Sequence, residues 1–273
     1  MSAFDIPAGL RDALRALAAE PVVVVALDFD GTLAALADDP QSVRPTDDAA
    51  RVLADLGTAP GVCLALVSGR PAADLGRLAS PPPGTVLVGS HGAETGEVTT
   101  EGEVVLTDIG LTPHERELRG RLADELERIV SGRTGAWVEH KPIAVVLHTR
   151  LASREDAQAV IEATLAGPAQ WAGVHALQGK DVVELPVRGA TKGDALRHLR
   201  ASVGADRSEP VPVLYAGDDV TDERAFAALG AGDVTIKVGS GGTAADHRVD
   251  SPDDLATALE ALVAARRSRL APD

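Results

Sequence analysis

The chain is poor in cysteine and in aromatic residues. Cys63 is the only cysteine among 273 residues, so the chain can form no internal disulfide. Because Cys63 lies within an apolar strand pattern, we expect it to be a small core residue. Aromatic residues make up only 2% of a chain that is 45% hydrophobic. The core must therefore be built of valine, leucine and alanine.

The chain also lacks an excess of positive charge and any long apolar segment. Its net charge of −15 argues against nucleic acid and anionic membranes as partners. An anionic substrate would have to be drawn in by local positive charge or by a bound cation. No segment approaches the roughly 20 apolar residues of a membrane span, and the N-terminus shows no signal-peptide pattern. We therefore expect a cytoplasmic enzyme.

Short apolar runs alternate with helical patterns over most of the chain. The predicted strands cover residues 22–30, 62–68, 85–90, 211–218 and 234–239. The predicted helices cover residues 9–20, 47–56, 72–78, 192–199 and 222–229. This alternation predicts an α/β fold with a parallel sheet covered on both faces. In such a sheet, ligands bind beyond the carboxyl ends of the strands.

The pattern changes between residues 111 and 185. A highly charged helix is predicted at 113–130 and a second helix at 153–165. Strands are predicted at 136–139, 143–149, 173–176 and 181–185. We therefore expect a two-layer α/β domain of residues 111–185, inserted into a core domain of residues 1–110 and 186–273.

The most informative motif is the hexapeptide Asp-Phe-Asp-Gly-Thr-Leu at residues 28–33, directly after an apolar run. If the strand continues through it, Asp28 and Asp30 point the same way and share one pocket. If the chain turns at Phe29, Asp30 offers its backbone carbonyl to a metal and its carboxylate to the substrate. Both arrangements suit phosphoryl transfer, because Mg²⁺ prefers oxygen ligands and a carboxylate is a recognised nucleophile. A simple Asx turn is the alternative.

Two further segments have features of a phosphate site. Ser68, Gly69 and Arg70 end the second strand, where a hydroxyl and backbone N–H groups can hold a phosphate oxygen; an ordinary turn is the alternative. Lys192 opens a helix after Thr191, which fits an N-cap. The helix dipole disfavours a cation in the first turn of a helix. The position of Lys192 therefore suggests that it acts at the phosphate site. An exposed, solvated lysine is the alternative.

An acidic segment follows the fourth predicted strand. Residues 217–223 contain four acidic side chains, which would repel one another without a cation. The segment therefore predicts a metal site, with an acidic helix start as the alternative. The glycine-rich residues 239–242 are interpreted as a simple loop.

Together and in this order, these segments resemble the haloacid dehalogenase-like (HAD) phosphatases. The resemblance is more specific to the trehalose-6-phosphate phosphatases. The motifs that resemble this family lie at residues 28–33, 90–94, 139–141, 147–150, 179–184, 191–193, 217–223 and 237–244. It covers residues 22 to about 263. Thr149 stands where that family often has tyrosine, and residues 185–187 replace a more basic stretch.

The resemblance implies a Rossmannoid HAD core with an inserted cap domain, and Mg²⁺-dependent hydrolysis of trehalose 6-phosphate. It implies that Asp28 is the nucleophile and that Asp30 is the general acid and base. The metal would be held by Asp28, the Asp30 backbone carbonyl and Asp218, with Asp222 in its outer shell. Ser68 and Lys192 would bind the transferring phosphoryl oxygens.

The resemblance also implies a set of substrate-binding residues. These are Gly69, Arg70 and His91 in the core, and Glu139, Lys141, Arg150, Lys180 and Glu184 in the cap, where they would bind sugar hydroxyls. Two other interpretations stay open. One is a capped phosphatase for another sugar phosphate, such as sucrose phosphate or a mannosyl-phosphoglycerate. The other is a non-catalytic domain that binds a sugar phosphate and regulates a partner synthase. Functional coupling to a trehalose-phosphate synthase is a further expectation.

Overall fold

The computed structural model describes residues 6–37, 39–107, 111–141, 143–179, 181–188 and 191–269. The chain divides into two compact units, one of residues 1–108 with 191–273 and one of residues 109–190. The assignment of one unit to catalysis and of the other to substrate recognition stays a prediction. Among the residues just given, no helix is both long enough and apolar enough to cross a membrane.

The strands and helices are numbered here along the whole chain. The strands are β1 (Val23–Leu27), β2 (Val62–Val67), β3 (Val86–Gly89), β4 (Glu94–Val98), β5 (Val104–Thr107), β6 (Trp137–His140), β7 (Ala144–His148), β8 (Leu177–Gln178), β9 (Val182–Pro186), β10 (Val213–Gly217), β11 (Val234–Val238) and β12 (His247–Val249). The helices are α1 (Ala8–Ala19), α2 (Asp47–Thr58), α3 (Ala72–Ala79), α4 (Pro113–Val130), α5 (Arg154–Ala166), α6 (Lys192–Val203), α7 (Val220–Ala227) and α8 (Pro252–Arg269).

The first unit is built on a sheet of eight strands in the order β12-β11-β10-β1-β2-β3-β4-β5. The strands from β12 to β3 are parallel, and β4 and β5 continue the sheet in antiparallel pairing. The five strands predicted for the core are all present, which confirms the α/β fold with a mainly parallel sheet. The sequence analysis missed β4, β5, β12 and α8.

Both faces of this sheet are covered by helices. Along β1, Val23, Val25 and Leu27 pack into one apolar cluster, together with residues of α1, α2, α3 and α8. Val24 and Ala26 point to the opposite cluster, which includes residues of α6 and α7. This alternation within a continuous apolar run is what a strand buried on both faces requires. Cys63 packs, partly buried, against the second cluster, as expected.

β1 ends at Leu27, earlier than the predicted strand end at Asp30. The chain turns because the backbone N–H groups of Leu33 and Ala34 both donate to the Phe29 carbonyl, at 2.9 and 3.1 Å. Gly31 adopts φ +78° within this turn, a left-handed conformation that glycine accepts without strain. Asp28 and Asp30 therefore do not lie on one continuous strand, and the turn at Phe29 is present. The roles of the Asp30 carbonyl and carboxylate stay predictions.

The second unit is an antiparallel sheet in the order β6-β7-β9-β8. Helix α4 has the predicted bounds and begins with a capping box between Thr112 and Glu115. Leu122 of α4 and Val160 of α5 pack with inward-facing strand residues such as Leu147. The strand predicted at 173–176 is wrong: β8 covers only Leu177–Gln178, because Gly173 at φ +85° lies in a turn.

Candidate active site

The site lies at the carboxyl edge of the first sheet, where three neighbouring parallel strands end. Asp28 follows β1, Ser68 follows β2, and Asp218 follows β10. Because β10, β1 and β2 are adjacent and parallel, their carboxyl ends share one edge. Lys192, the first residue of α6, also reaches this edge.

Lys192 forms the centre of a buried ion-pair network. Its Nζ donates to Asp28 Oδ1 at 2.7 Å and to Asp222 Oδ1 at 2.8 Å. Lys192 is 3% exposed, Asp28 4% and Asp222 0%. The alternative of an exposed, solvated lysine is therefore wrong. A buried lysine of this kind is retained only when its charge is matched.

The carboxylates of the site outnumber its buried lysine. Burial raises the pKa of Asp28 well above its usual value, and the nearby charges of Asp222 and Asp218 add to this, although Lys192 opposes it. Burial lowers the pKa of Lys192, but the charges of Asp28 and Asp222 outweigh it and hold that pKa above its usual range. One buried lysine therefore does not offset the combined effect of burial and the neighbouring carboxylates on the pKa of Asp28.

The donor set fits a divalent cation. One carboxylate oxygen from each of Asp28, Asp218 and Asp222 lies within 4.8 Å of the other two. Carboxylate oxygens are the ligands that Mg²⁺ prefers. Burial raises the pKa of Asp28 and of Asp218, and the neighbouring carboxylates raise both further. The residues present therefore suit the predicted Mg²⁺ site.

Asp222 differs from the other two carboxylates because it is already saturated with donors. Its Oδ1 accepts from Lys192 and from the Tyr215 hydroxyl at 2.5 Å. Its Oδ2 accepts from the backbone N–H groups of Asp218 and Asp219, each at 2.9 Å. Asp222 is also the third helical residue of a capping box with Asp219, which explains its place at the start of α7. These contacts favour an outer position for Asp222, from which it orients Asp218.

Three residues of the site were missed by the sequence analysis. The Thr32 hydroxyl lies 3.2 Å from Asp28 Oδ2 and 3.4 Å from Asp218 Oδ1. Tyr215 donates to Asp222, as described above. The Lys237 ammonium, on buried strand β11, donates to the Asp218 backbone carbonyl and lies 3.3 Å from Glu223 Oε1. A lysine within an apolar strand was the available signal for Lys237.

The carboxylate of Asp30 forms an ion pair with the guanidinium of Arg70. The Arg70 guanidinium donates to Asp30 Oδ2 at 2.6 Å and to Oδ1 at 2.5 Å, and also to the Pro40 carbonyl at 2.7 Å. The structure thus does not bring the Asp30 carboxylate into the group formed by Asp28 and its acidic neighbours. The Arg70 guanidinium, which was predicted to bind substrate, is thus paired with a carboxylate of the protein itself.

Ser68 and Gly69 form a turn that His91 covers. Ser68 is buried, its hydroxyl accepts from the Arg70 N–H at 3.1 Å, and its carbonyl accepts from the His91 N–H at 3.0 Å. A Cβ at position 69 would come within 2.6 Å of the His91 ring. Glycine is therefore required there by the close approach of that ring.

His91 is held in an unusual backbone conformation. Ser90 and His91 have φ values of +50° and +59°, and such left-handed residues cost of order 1–3 kcal/mol each. The buried carboxylate of Glu94 stabilises this segment, because it accepts from the Ser90 hydroxyl at 3.0 Å and from the Ala72 N–H at 2.8 Å. The structure therefore brings His91 beside the turn of Ser68 and Gly69, as is required if these residues bind the same substrate.

Of the predicted sugar-binding residues of the second unit, Glu139 lies on β6 and Glu184 on β9, and Lys141 directly follows β6. Lys141 Nζ donates to Glu184 Oε1 at 3.1 Å, and Glu139 Oε2 lies 2.7 Å from His148 Nε2. Arg150 is exposed in the turn after β7. Lys180 lies outside the described residues.

Gly31→Ala is expected to lower the free energy of unfolding by about 1–3 kcal/mol. The new Cβ would sit in a left-handed conformation at φ +78° and only 2.0 Å from Asp218 Oδ2, so the Asp218 carboxylate must move. Urea unfolding measures the change. Gly120→Ala is the matched control, because nothing lies within 4 Å of a Cβ at that helical position; it should stabilise slightly. Equal stability of Gly31→Ala and the wild type would contradict the geometry of this turn.

The sequence comparison decides the family. The family model described as trehalose-phosphatase matches residues 26–253. This chain belongs to the trehalose-phosphatase family. The HAD-like fold predicted from the motifs is thereby confirmed, together with the more specific resemblance.

Curated relatives agree with this family. The chain is 32% identical to a trehalose-6-phosphate phosphatase of Escherichia coli K12, over 89% of this chain and 87% of that protein. It is 34% identical to a trehalose-phosphate phosphatase of Mycobacterium marinum, over 89% of this chain. That match spans only 63% of the mycobacterial protein, so the chain corresponds to less than two thirds of that relative.

Solved structures share the fold of this trehalose-phosphatase family member. A trehalose-6-phosphate phosphatase of Aspergillus fumigatus aligns with a TM-score of 0.69 and 24% identity, over 95% of this chain and 100% of that one. The C-terminal domain of a trehalose synthase regulatory protein of Candida albicans aligns with a TM-score of 0.64 and 15% identity, over 91% and 97%. At these identities the likeness shows the fold alone.

Proposed function

We propose that the chain is a Mg²⁺-dependent phosphomonoesterase that hydrolyses trehalose 6-phosphate to trehalose and phosphate. The observation that carries the proposal is the group formed by buried Asp28 and Lys192 with half-buried Asp218 at the carboxyl edge of the sheet, in a member of the trehalose-phosphatase family. In this proposal the enzyme acts in the cytoplasm. A trehalose-phosphate synthase would supply its substrate.

Asp28 is the proposed nucleophile. One of its carboxylate oxygens attacks phosphorus, the bond from phosphorus to the sugar oxygen breaks, and an aspartyl-phosphate forms. Water then attacks this phosphorus and releases phosphate and the free carboxylate. Asp30 is the proposed acid and base, which first protonates the leaving sugar oxygen and then takes a proton from water. For this role its carboxylate must exchange Arg70 for the substrate.

The other core residues bind the charged groups. Asp28, Asp218 and the Asp30 backbone carbonyl would hold Mg²⁺, while Asp222 orients Asp218 through its backbone N–H. When bound, Mg²⁺ offsets negative charge on the phosphoryl oxygens. Lys192 and Ser68 bind those same oxygens, in a site where burial strengthens each contact.

Lys192→Ala is expected to lower kcat by roughly 10²–10³, the usual cost of losing one transition-state donor. The substitution also leaves Asp28 and Asp222 without their shared cation. Lys192→Arg should restore little, because a planar guanidinium does not replace a compact ammonium. Steady-state kinetics on trehalose 6-phosphate measure the effect.

Arg197→Ala is the control for that experiment. Arg197 lies on the same helix, and its side chain is 56% exposed. This variant should keep wild-type kcat. Normal turnover of Lys192→Ala would remove Lys192 from the catalytic residues and leave it a structural ion-pair partner.

Glu184→Ala is expected to lower kcat/KM on trehalose 6-phosphate far more than on 4-nitrophenyl phosphate. In the proposal, Glu184 and its partner Lys141 bind sugar hydroxyls, and a truncated side chain leaves polar groups unpaired. A small aryl phosphate offers no such hydroxyls. The ratio of the two kcat/KM values is the measurement.

Glu162→Ala is the matched control for Glu184→Ala. Glu162 is an exposed glutamate on α5 of the same unit, and its removal should leave the ratio unchanged. An equal loss on both substrates after Glu184→Ala would contradict a role in sugar binding. It would show instead that Glu184 supports the fold through Lys141.

A substrate panel tests the proposed function itself. Phosphate release is measured from trehalose 6-phosphate, sucrose 6-phosphate, a mannosyl-phosphoglycerate and glucose 6-phosphate, each with and without Mg²⁺. The proposal expects the highest kcat/KM for trehalose 6-phosphate. Preference for another ester would identify a different sugar phosphatase, and binding without phosphate release would identify a regulatory domain.

A further inference from the structure

Trp137 is placed unlike the other described aromatic side chains. The sequence has only two tryptophans, one tyrosine and three phenylalanines. Among the described residues, the rings of Phe29, Trp171, Tyr215 and Phe226 belong to or pack against apolar core clusters. Trp137 belongs to none of these clusters. A rare aromatic residue has thus been kept outside the cores.

The Trp137 indole forms a rigid pair with the His148 imidazole. The two residues are directly opposite each other on β6 and β7. Their rings are parallel within 9°, with centroids 4.7 Å apart. Glu139 Oε2 lies 2.7 Å from His148 Nε2 and fixes the orientation of the imidazole. The pair is therefore set in place before any ligand arrives.

This ring pair lies on the sheet face that carries the charged side chains. Val138, Leu147 and Val183 are in register with one another and point to the helices and the apolar core. Their neighbours along the strands, which include Trp137, Glu139, His148 and Glu184, point to the opposite face because strand side chains alternate. Lys141 joins that face through its bond to Glu184. Aromatic, acidic and basic groups therefore share one surface.

A pyranose ring has the chemistry that matches this surface. Its hydroxyls lie around the rim, whereas its axial C–H groups form apolar faces that stack on aromatic rings. Charged side chains can bind the rim while an indole covers a face. β6 is the edge strand of its sheet, so within the described part of the chain no strand pairs with β6 on the side away from His148.

We propose that Trp137 and His148 form a stacking platform for a sugar ring of the substrate and determine specificity for it. Glu139 holds the platform in place through His148. The proposal rests on the proposed function, because it names the part of the second unit that would recognise the sugar. It adds two residues that the sequence analysis did not assign.

Tryptophan fluorescence tests the platform directly. Since the chain has only two tryptophans, Trp171→Phe leaves Trp137 as the only tryptophan, and Trp137→Leu leaves only Trp171. Excitation selective for tryptophan excludes the emission of the single tyrosine. Titration with trehalose should change the emission of the Trp171→Phe protein in a saturable way. The Trp137→Leu protein should show no saturable change at the same concentrations. Glycerol, a polyol without a pyranose ring, is the control ligand and should change neither.

Kinetics give the second readout. Trp137→Leu should lower kcat/KM for trehalose 6-phosphate, relative to kcat/KM for 4-nitrophenyl phosphate, by about tenfold. Trp137→Tyr should restore most of this selectivity, because it keeps an aromatic face. Trp171→Phe should leave the selectivity unchanged. A purely structural role for Trp137 would lower the melting temperature and both activities together, without any change of their ratio.

The two tests separate this proposal from the proposed function. The titration needs no turnover, so it decides the platform even if trehalose 6-phosphate is not hydrolysed. A wild-type protein that hydrolyses trehalose 6-phosphate, combined with unchanged Trp137 emission and unchanged selectivity of Trp137→Leu, would overturn the platform alone.

Discussion

Asp28→Asn is expected to lower kcat by roughly four orders of magnitude, as for the loss of other covalent nucleophiles. The amide is isosteric with the carboxylate: its oxygen can still accept from Lys192, 2.7 Å from Asp28 Oδ1, and its NH2 group can donate to the Thr32 hydroxyl, 3.2 Å from Asp28 Oδ2. It cannot attack phosphorus, and it is a poor ligand for Mg²⁺. The fold should therefore survive while the chemistry is lost. Steady-state kinetics and circular dichroism of the purified variant measure both.

Asp12→Asn is the control for this substitution. Asp12 lies on α1 with a side chain 76% exposed, so the same chemical change there should leave kcat unaltered. If Asp28→Asn retained a tenth of wild-type turnover in a folded protein, Asp28 would not be the nucleophile. A loss of the circular dichroism spectrum would call for Asp28→Ser, which removes both the carboxylate and its buried charge.

Removal of divalent metal is expected to abolish turnover, and added Mg²⁺ to restore it. Asp28 and Asp218 have raised pKa values because they are buried beside other carboxylates, so a bound cation relieves their repulsion. A ligand that binds only the folded state, present at a concentration 100 times its Kd, stabilises that state by about 2.7 kcal/mol. Mg²⁺ should therefore raise the melting temperature by about 5–10 °C.

Asp218→Asn distinguishes a specific site from a general effect of salt. Asp218 contributes one of the three clustered carboxylates, so its amide should weaken Mg²⁺ binding and reduce the shift in melting temperature. Asp48→Asn, an exposed change on α2, should keep the full shift. Turnover that survives exhaustive chelation would disprove the metal site, whatever the thermal shift.

The sheet was predictable where the strands are buried on both faces. β1, β2 and β10 are apolar runs bounded by turns, and such runs carry a strong local signal. β4 and β5 were missed because the pattern there is weak: Gly96 and polar residues interrupt β4, and most of β5 is exposed. Their pairing depends on the neighbouring strand β3, which the local sequence does not encode.

The exact end of a strand was less predictable than its presence. The apolar run before Asp28 gave no sign that β1 stops at Leu27. The turn there is set by backbone hydrogen bonds to Phe29 and by the left-handed Gly31. Its cause is local, yet two conformations of the hexapeptide fitted the sequence equally well. The close approach of Asp218 to Gly31 belongs only to the turned form.

The sequence by itself determined which chemical groups stand at the ends of which strands. Asp28, Ser68 and Asp218 follow apolar runs, and a parallel sheet must gather such residues at one edge. The family followed from the order of the same motifs.

The tertiary structure decided the partner of each charge. Lys192 joins Asp28, 164 positions away in the chain, to Asp222, and Arg70 binds Asp30 across 40 positions. Lys237 reaches the Asp218 carbonyl from the neighbouring strand. Pairings of this kind depend on how strands and helices pack, because hydrogen bonds form only within about 3 Å and sequence spacing does not fix such distances.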